Sequence, residues 1–214
     1  MFNPLKSDID ARFESAKSFL VATGKSGGDV GATAKGLTFV QLYAAYEFTV
    51  KSVVQVAIDS INAHGHKMNE ISPSLMALYL DGELSALRDC GPKRIWDARL
   101  KLFERAFSND IISLPNTIGP PNDGLHYRHP DLLKIFAVFG IRRLPVRRRA
   151  HYYRIDEVVG NRNQIAHGAE TAADVGRRYT YPDMVHRLNQ MKSVCSLLVS
   201  VFDAFCADAT KHRR

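Results

Sequence analysis

The chain has 214 residues, 45% of them hydrophobic and 24% charged, and a net charge of +7. These values are ordinary for a folded globular protein and exclude an intrinsically disordered chain. The length predicts a single domain spanning residues 1–214. The three cysteines show no paired CxxC spacing, and Cys195 and Cys206 fall in an apolar helical pattern. We therefore expect buried free thiols, which suit a reducing cytoplasm.

The sequence does not predict a membrane protein. Its most apolar stretch, residues 39–58, is interrupted by Gln41, Glu47, Lys51 and Gln55. A membrane helix rarely tolerates so many polar groups. The first residues also lack the basic-then-apolar order of a secretory signal. We therefore expect a soluble, cytoplasmic protein.

The first third of the chain predicts two helices joined by a loop. Asn3-Pro4 is a typical helix start, and apolar residues then recur at intervals of three and four up to about Thr23. Residues 24–36 are rich in glycine and predict a flexible connector. Thr38 opens a capping-box sequence and a helix to about Ala63 that is apolar on most sides, as in the centre of a bundle. Residues 1–37 are thus a terminal helix and loop, and residues of about 38–210 form the core of the domain.

Apolar periodicity, caps and breakers predict five further helices. In chain order they cover about residues 72–90, 93–107, 131–140, 151–167 and 181–214. Residues 109–130 form a long irregular span, and only short apolar runs such as 110–114 have the composition of a strand. The fold class is therefore predicted to be all-α, a helical bundle with additional helices and long loops.

Nearly all of the excess positive charge lies in one part of the chain. Residues 128–178 contain eleven Lys or Arg against five Asp or Glu. Such a concentration favours a polyanionic partner, nucleic acid first, although a merely solvated surface has the same composition. If the segment lines a cleft, Tyr152 and Tyr153 could stack bases or pack in the core. The predicted RNA-binding residues, whose contacts with phosphates would be sensitive to salt, are Arg142, Arg143, Arg147, Arg148 and Arg149.

The residues with the clearest chemistry lie at the end of the helix at 151–167. Asn163 and His167 are four residues apart on one face, so the amide can orient the imidazole. Arg162 lies about 100° round the helix and can bind a phosphate through two hydrogen bonds. Gly168 allows a sharp helix end that leaves His167 accessible. The spacing alone is a weak signal, because Arg162 in a surface ion pair and His167 as a helix cap would give the same pattern.

Cleavage of RNA by its own 2′-hydroxyl needs three groups. A base takes the 2′ proton, an acid protonates the leaving 5′ oxygen, and a cation stabilises the phosphorane. Histidine suits proton transfer near neutral pH, and arginine suits the third role. One Arg162 and one His167 are too few for the whole reaction, whereas two copies across a symmetric axis would bring two of each into one cleft. This requirement predicts a homodimer.

Three segments resemble the HEPN superfamily of helical ribonucleases and their inactive relatives. Residues 162–168, Arg-Asn-Gln-Ile-Ala-His-Gly, are similar to the Arg-polar-x3-His motif of that superfamily. Residues 43–51 and 132–141 resemble the RiboL-PSP-HEPN branch in particular. The order of the three segments matches the family over most of the chain from about Thr38 to Gly168.

The resemblance implies a dimerising helical bundle that cleaves RNA without a metal or another cofactor. By position, Arg162 and His167 would be catalytic and Asn163 the supporting polar residue. Glu47 stands where the branch usually has an acidic residue, to which no role is assigned. The tyrosine that follows the histidine in HEPN toxins paired with nucleotidyltransferases is absent, since Gly168 is followed by Ala169 and Glu170, which disfavours such a pairing.

Metal-binding motifs are weaker. The pairs His64/His66 and His126/His129 would need further ligands that the sequence does not show, and exposed loop histidines are the preferred interpretation, so no metal site is predicted. The sequence contains no HExxH motif, no paired-cysteine zinc motif and no GxSxG motif.

Three functions are compatible with these features. The leading hypothesis is a homodimeric, metal-independent endoribonuclease. Its role as a toxin or defence effector of a prokaryotic cell, with an antitoxin or defence-system protein as partner, rests on the resemblance. The alternatives are a non-catalytic module that binds RNA or protein through the same basic face, and a subunit of a larger effector complex.

Overall fold

The computed structural model describes residues 2–113, 126–146 and 148–213, and within these ranges it contains nine α-helices, three short 3-10 helices and no β-strand. The all-α prediction is confirmed. The α-helices are α1 (Asn3–Thr23), α2 (Gly28–Ala63), α3 (Pro73–Tyr79), α4 (Asp81–Asp89), α5 (Ile95–Ala106), α6 (His129–Val138), α7 (Arg149–Ala166), α8 (Ala172–Arg177) and α9 (Tyr181–Cys206). The 3-10 helices are Met68–Glu70, Pro92–Arg94 and Ala209–His212.

Helix α2 is the centre of the bundle. It is 36 residues long, about 54 Å at 1.5 Å per residue, and it packs against α1, α7, α8 and α9. Its apolar side chains face several neighbours at once, and Phe39, Tyr46 and Ile58 are completely buried. This confirms the predicted central position. Among the described residues, no helix combines the length and hydrophobicity that crossing a bilayer requires.

The predicted glycine-rich loop at 24–36 is wrong over most of its length, because α2 already begins at Gly28. The predicted capping box is also wrong: Thr38 lies inside the helix, and its hydroxyl donates to the Ala34 carbonyl at 2.8 Å. The reason is tertiary packing. A Cβ on Gly36 would lie 1.9 Å from the carbonyl oxygen of Ala172. This glycine therefore lets α2 and α8 touch backbone to backbone, which outweighs its low helix propensity.

Three other boundaries differ from the prediction. The third predicted helix is divided at Leu80 into α3 and α4, and the short α8, capped by Thr171, was not predicted. Helix α9 ends at Cys206 rather than continuing to the basic terminus. There Asp208 accepts a hydrogen bond from the Thr210 amide at 3.2 Å and starts a 3-10 helix, a typical role of aspartate before a helix. In the apolar run 110–114, Ile111 forms only an isolated bridge with Lys67, and residue 114 lies outside the described ranges.

The cysteines agree with the sequence-based expectation. Cys195 and Cys206 are buried free thiols. Burial raises the pKa of Cys195 to about 12 and that of Cys206 to about 11. Because the thiolate is the reactive form, neither residue is suited to nucleophilic chemistry.

Helix α7, which carries the Arg/His motif, is fixed on its inner side. Val158 and Val159 are fully buried, and the Asn161 amide donates to the Tyr179 hydroxyl at 3.0 Å. Glu157 accepts from Arg187 of α9 at 2.8 Å. These contacts hold the C-terminal turns of α7 in one orientation, so the motif that follows Asn161 has a defined position.

Candidate active site

Arg162 is half-buried near the end of α7, and two neighbours hold its guanidinium. Its Cζ lies 4.8 Å from the centroid of the Tyr43 ring on α2, within the range of a cation–π interaction. Its Nη1 donates to Oδ1 of Asn163 at 3.1 Å. The predicted role of Asn163 therefore changes: its amide side chain orients Arg162 rather than the imidazole of His167.

His167 is exposed and ends α7 as its C-cap residue. Its backbone N–H donates to the Asn163 carbonyl at 3.0 Å, and Gly168 follows with φ +70°. This left-handed conformation favours glycine and gives the sharp helix end predicted from the sequence. The imidazole of His167 is consequently accessible to a ligand, beside the more buried Arg162.

A second imidazole, which the sequence analysis did not connect with the motif, belongs to the same cluster. His126 is half-buried, with Nδ1 3.5 Å from the Tyr43 hydroxyl. Burial lowers its pKa, the positive charges of Arg162, Arg128 and His167 lower it further, and Glu47 opposes them. The expectation of an exposed loop histidine is wrong here. No spacing rule relates His126 to Arg162, because α2 brings the two together through Tyr43.

Tyr43 and Glu47 complete the cluster from one face of α2. Burial, reinforced by the negative charge of Glu47, raises the pKa of Tyr43 to about 12. The phenol therefore stays protonated at neutral pH and offers a hydroxyl to His126 and a ring face to Arg162. Glu47 pairs with Lys51, Oε1 to Nζ, at 2.7 Å. Glu47, to which the sequence assigned no role, thus contributes a negative charge near Tyr43 and His126.

The predicted RNA-binding arginines form a different surface. Arg142, Arg143, Arg148 and Arg149 are exposed, and Arg147 lies outside the described residues. Arg143 and Arg148 line an open cleft of about 800 Å³ between the start of α7 and α9. Arg149 precedes Arg162 by about 20 Å along the axis of α7. Within one chain, the arginine cleft and the Arg/His motif therefore lie at opposite ends of the same helix.

Two tyrosines and a histidine near these arginines differ in exposure. Tyr152 is half-buried against His129, with ring centroids 4.5 Å apart, whereas Tyr153 is exposed. His129 lies 3.6 Å from a carboxylate oxygen of Asp156. His126 thus contacts Tyr43 whereas His129 contacts Tyr152 and Asp156, and Tyr153 is the exposed tyrosine that could stack on a base.

The helical bundle and the Arg/His motif at a helix end define an all-α domain of the HEPN type. Residues 7–179 match the model of the family described as RiboL-PSP-HEPN, and the chain belongs to this family within the HEPN superfamily. The match runs from α1 to the residues just after α8, so it includes Tyr43, His126, Arg162 and His167. No curated protein and no solved structure matches the chain.

Proposed function

We propose that the protein is a metal-independent endoribonuclease that cleaves RNA by attack of the 2′-hydroxyl at a site shared between two subunits. The observation that carries the proposal is the cluster in which Arg162 lies against the Tyr43 ring, His126 lies 3.5 Å from the Tyr43 hydroxyl, and His167 ends the helix that carries Arg162. HEPN domains are often ribonucleases, which supports the same reaction class.

The roles follow from the environment of each group. His126, whose pKa is lowered, is neutral at pH 7 and is suited to accept the proton of the 2′-hydroxyl. The 2′ oxygen then attacks phosphorus, and the bond from phosphorus to the 5′ oxygen breaks. His167, accessible at the helix end, gives a proton to that leaving oxygen. Arg162 stabilises the phosphorane with its fork of N–H groups, so the products end in a 2′,3′-cyclic phosphate and a 5′-hydroxyl.

A second subunit remains part of the proposal for an electrostatic reason. His126 supplies a second imidazole within one chain, so the number of proton carriers alone does not demand a dimer. The phosphorane, however, has more negative charge than the single guanidinium of Arg162 can balance. A two-fold axis close to His167 would bring a second Arg162 into the cleft.

We also propose a cellular role as a toxin or defence effector, which follows from the family rather than from the site geometry. A nuclease that needs no metal is active as soon as its subunits have folded and paired. Its host would therefore need an antitoxin or another defence protein to restrain it, and such a protein is the expected partner besides RNA.

The direct test is to incubate purified, untagged protein with single-stranded RNA in excess EDTA. We expect cleavage, with products that end in 2′,3′-cyclic phosphate. Cleavage that occurs only after a divalent metal is added would contradict the proposal. RNA that is bound but never cut, with or without EDTA, would identify the non-catalytic binding module instead.

The pH dependence of cleavage tests the role of His126. Because its pKa lies below the ordinary histidine value of 6.5, the acid limb of the kcat/KM profile is expected to have its midpoint below pH 6.5. Arg128→Gln removes a positive charge and should move this midpoint upward, whereas Glu47→Gln removes a negative charge and should move it downward. Shifts in the same direction, or a midpoint that does not respond to either variant, would exclude His126 as the base.

The arginine cleft predicts a salt-dependent contribution to RNA binding. In Arg143→Gln/Arg148→Gln, the slope of log Kd against log salt should fall in magnitude by about 1.4, because each contact of a single strand with a cation contributes about 0.7. Arg88→Gln/Arg94→Gln removes the same charge from two exposed residues near α4 and α5 and should leave the slope unchanged. Equal effects of the two double variants would mean that net charge, not this cleft, attracts RNA.

A further inference from the structure

Three histidines meet where the end of α2 contacts the C-terminal 3-10 helix. His64 and His66 follow α2, and His212 ends the 3-10 helix. Their ring nitrogens lie within 4.8 Å of one another, and Nε2 of His66 is 3.2 Å from Nδ1 of His212. His66 is 2% exposed and His212 is completely buried. The expectation that His66 is an exposed loop residue is therefore wrong.

We propose that His64, His66 and His212 form a binding site for Zn²⁺. Three imidazoles with an open fourth position are a recurrent zinc ligand set. Zinc–nitrogen bonds of 2.0–2.1 Å in a tetrahedron place the ligand nitrogens about 3.4 Å apart, which is close to the observed His66–His212 distance. The ligand atoms now lie within 4.8 Å of one another, so His64 has to approach by up to about 1.4 Å, and it can do so because its side chain is exposed.

Backbone carbonyls already orient two of the three ligands. Nδ1 of His64 lies 2.6 Å from the Ser60 carbonyl, and Nε2 of His212 lies 3.3 Å from the Phe205 carbonyl. If these nitrogens donate, the other nitrogen of each ring has its lone pair free. A histidine that binds a metal usually donates its second N–H to such an oxygen. The surroundings thus set His64 and His212 in the tautomers that zinc requires.

His66 is the ligand whose tautomer has to change when zinc binds. Arg213 Nε donates to its Nδ1 at 3.4 Å, so without metal Nε2 carries the proton and donates to His212. On zinc binding the proton moves from Nε2 to Nδ1, and the Arg213 donor withdraws. Arg213 can withdraw toward Glu70, whose carboxylate lies 3.9 Å from its Nη2. Because His66 keeps its proton, this change of tautomer itself releases none.

The site is separate from the proposed reaction. His64 follows Tyr43 by about 31 Å along α2. The zinc ion would instead join the end of α2 to the C-terminal 3-10 helix. Its effect is therefore expected on the stability of the fold, and it goes beyond the proposed RNA cleavage.

The test uses untagged full-length protein, stripped of metal with EDTA and then dialysed, in a calorimetric titration with Zn²⁺. We expect saturable binding of one ion per chain and an affinity that falls about tenfold or more in His64→Ala. The exposed His186 of α9 provides the matched control, and His186→Ala should bind like the wild type. Because His64 is exposed, its replacement leaves the buried pair and the fold intact.

A second readout does not depend on calorimetry. Zn²⁺ should raise the Tm of the wild type and of His186→Ala through preferential binding to the folded chain, and should raise that of His64→Ala by clearly less at the same concentration. Absence of saturable binding to the wild type would overturn the proposal. Equal affinity of His64→Ala and the wild type would overturn it too, because the ion would then lie elsewhere.

Discussion

Replacing His167 with alanine is expected to lower kcat/KM for RNA cleavage in EDTA by roughly 10²–10⁴-fold, the usual contribution of a positioned proton donor. Arg162→Ala should lower it by roughly 10²–10³-fold through loss of transition-state charge stabilisation. Arg162→Lys keeps the charge but loses the planar fork that binds two phosphate oxygens, so its activity should lie between those of Arg162→Ala and the wild type. Single-turnover cleavage of a labelled RNA measures all three.

Matched variants separate chemistry from folding in this experiment. His167 is exposed, so His167→Ala should unfold at the wild-type temperature. His64→Ala and Arg88→Ala replace exposed residues of the same types and should cleave at the wild-type rate in EDTA. If His167→Ala and Arg162→Ala both retained wild-type kcat/KM while remaining folded, the motif would have no part in catalysis.

Mixing the two inactive variants tests whether the site is shared. A dimer of Arg162→Ala and His167→Ala chains contains one intact Arg162 and one intact His167, which face each other only if both subunits contribute to one cleft. Activity should therefore return in part after subunit exchange. If the mixture is as inactive as its components, each chain works alone or the pairing is different.

The sequence predicted those parts of the fold that depend on local pattern. The apolar repeat of α1 and the glycine after His167 gave correct helix positions, because helix periodicity and the left-handed conformation are properties of neighbouring residues. The loop predicted at residues 28–36 was wrong because their conformation depends on a distant contact. Glycine there lowers the intrinsic helix propensity, and only the contact with α8, far along the chain, makes the helical conformation favourable.

The same distinction applies to the candidate site. Arg162, Asn163 and His167 lie on one helix, so the family resemblance together with their spacing could nominate them as candidates. His126 and Tyr43 could not be found in this way, because the packing of α2 against α7 brings them to Arg162. The histidine cluster is a similar case: His64 and His66 stand out in the sequence, but their third member, His212, reaches them only because α9 ends at Cys206 and the chain turns back.

Gly36→Ala and Gly160→Ala are expected to change stability in opposite directions. On α2, the added methyl group of Gly36→Ala would lie 1.9 Å from a backbone oxygen of α8. Because neither backbone can move without separating the helices, the free energy of unfolding should fall by roughly 2–3 kcal/mol. On α7, a Cβ at Gly160 meets nothing within 4 Å, so Gly160→Ala should raise the free energy of unfolding by about 0.5–1 kcal/mol through helix propensity.

Chemical denaturation of the two variants measures this difference directly. Both substitutions make the same chemical change inside a helix. The difference between their effects on stability therefore reports the α2–α8 contact and not helix propensity.

The α2–α8 contact also affects the candidate site, because α8 begins only a few residues after His167. When α8 is displaced, the turn at Gly168 has to follow, and Gly36→Ala should therefore also lower the cleavage rate under conditions in which it is still folded. Equal destabilisation by the two substitutions would show that the close approach of the helices contributes nothing to stability.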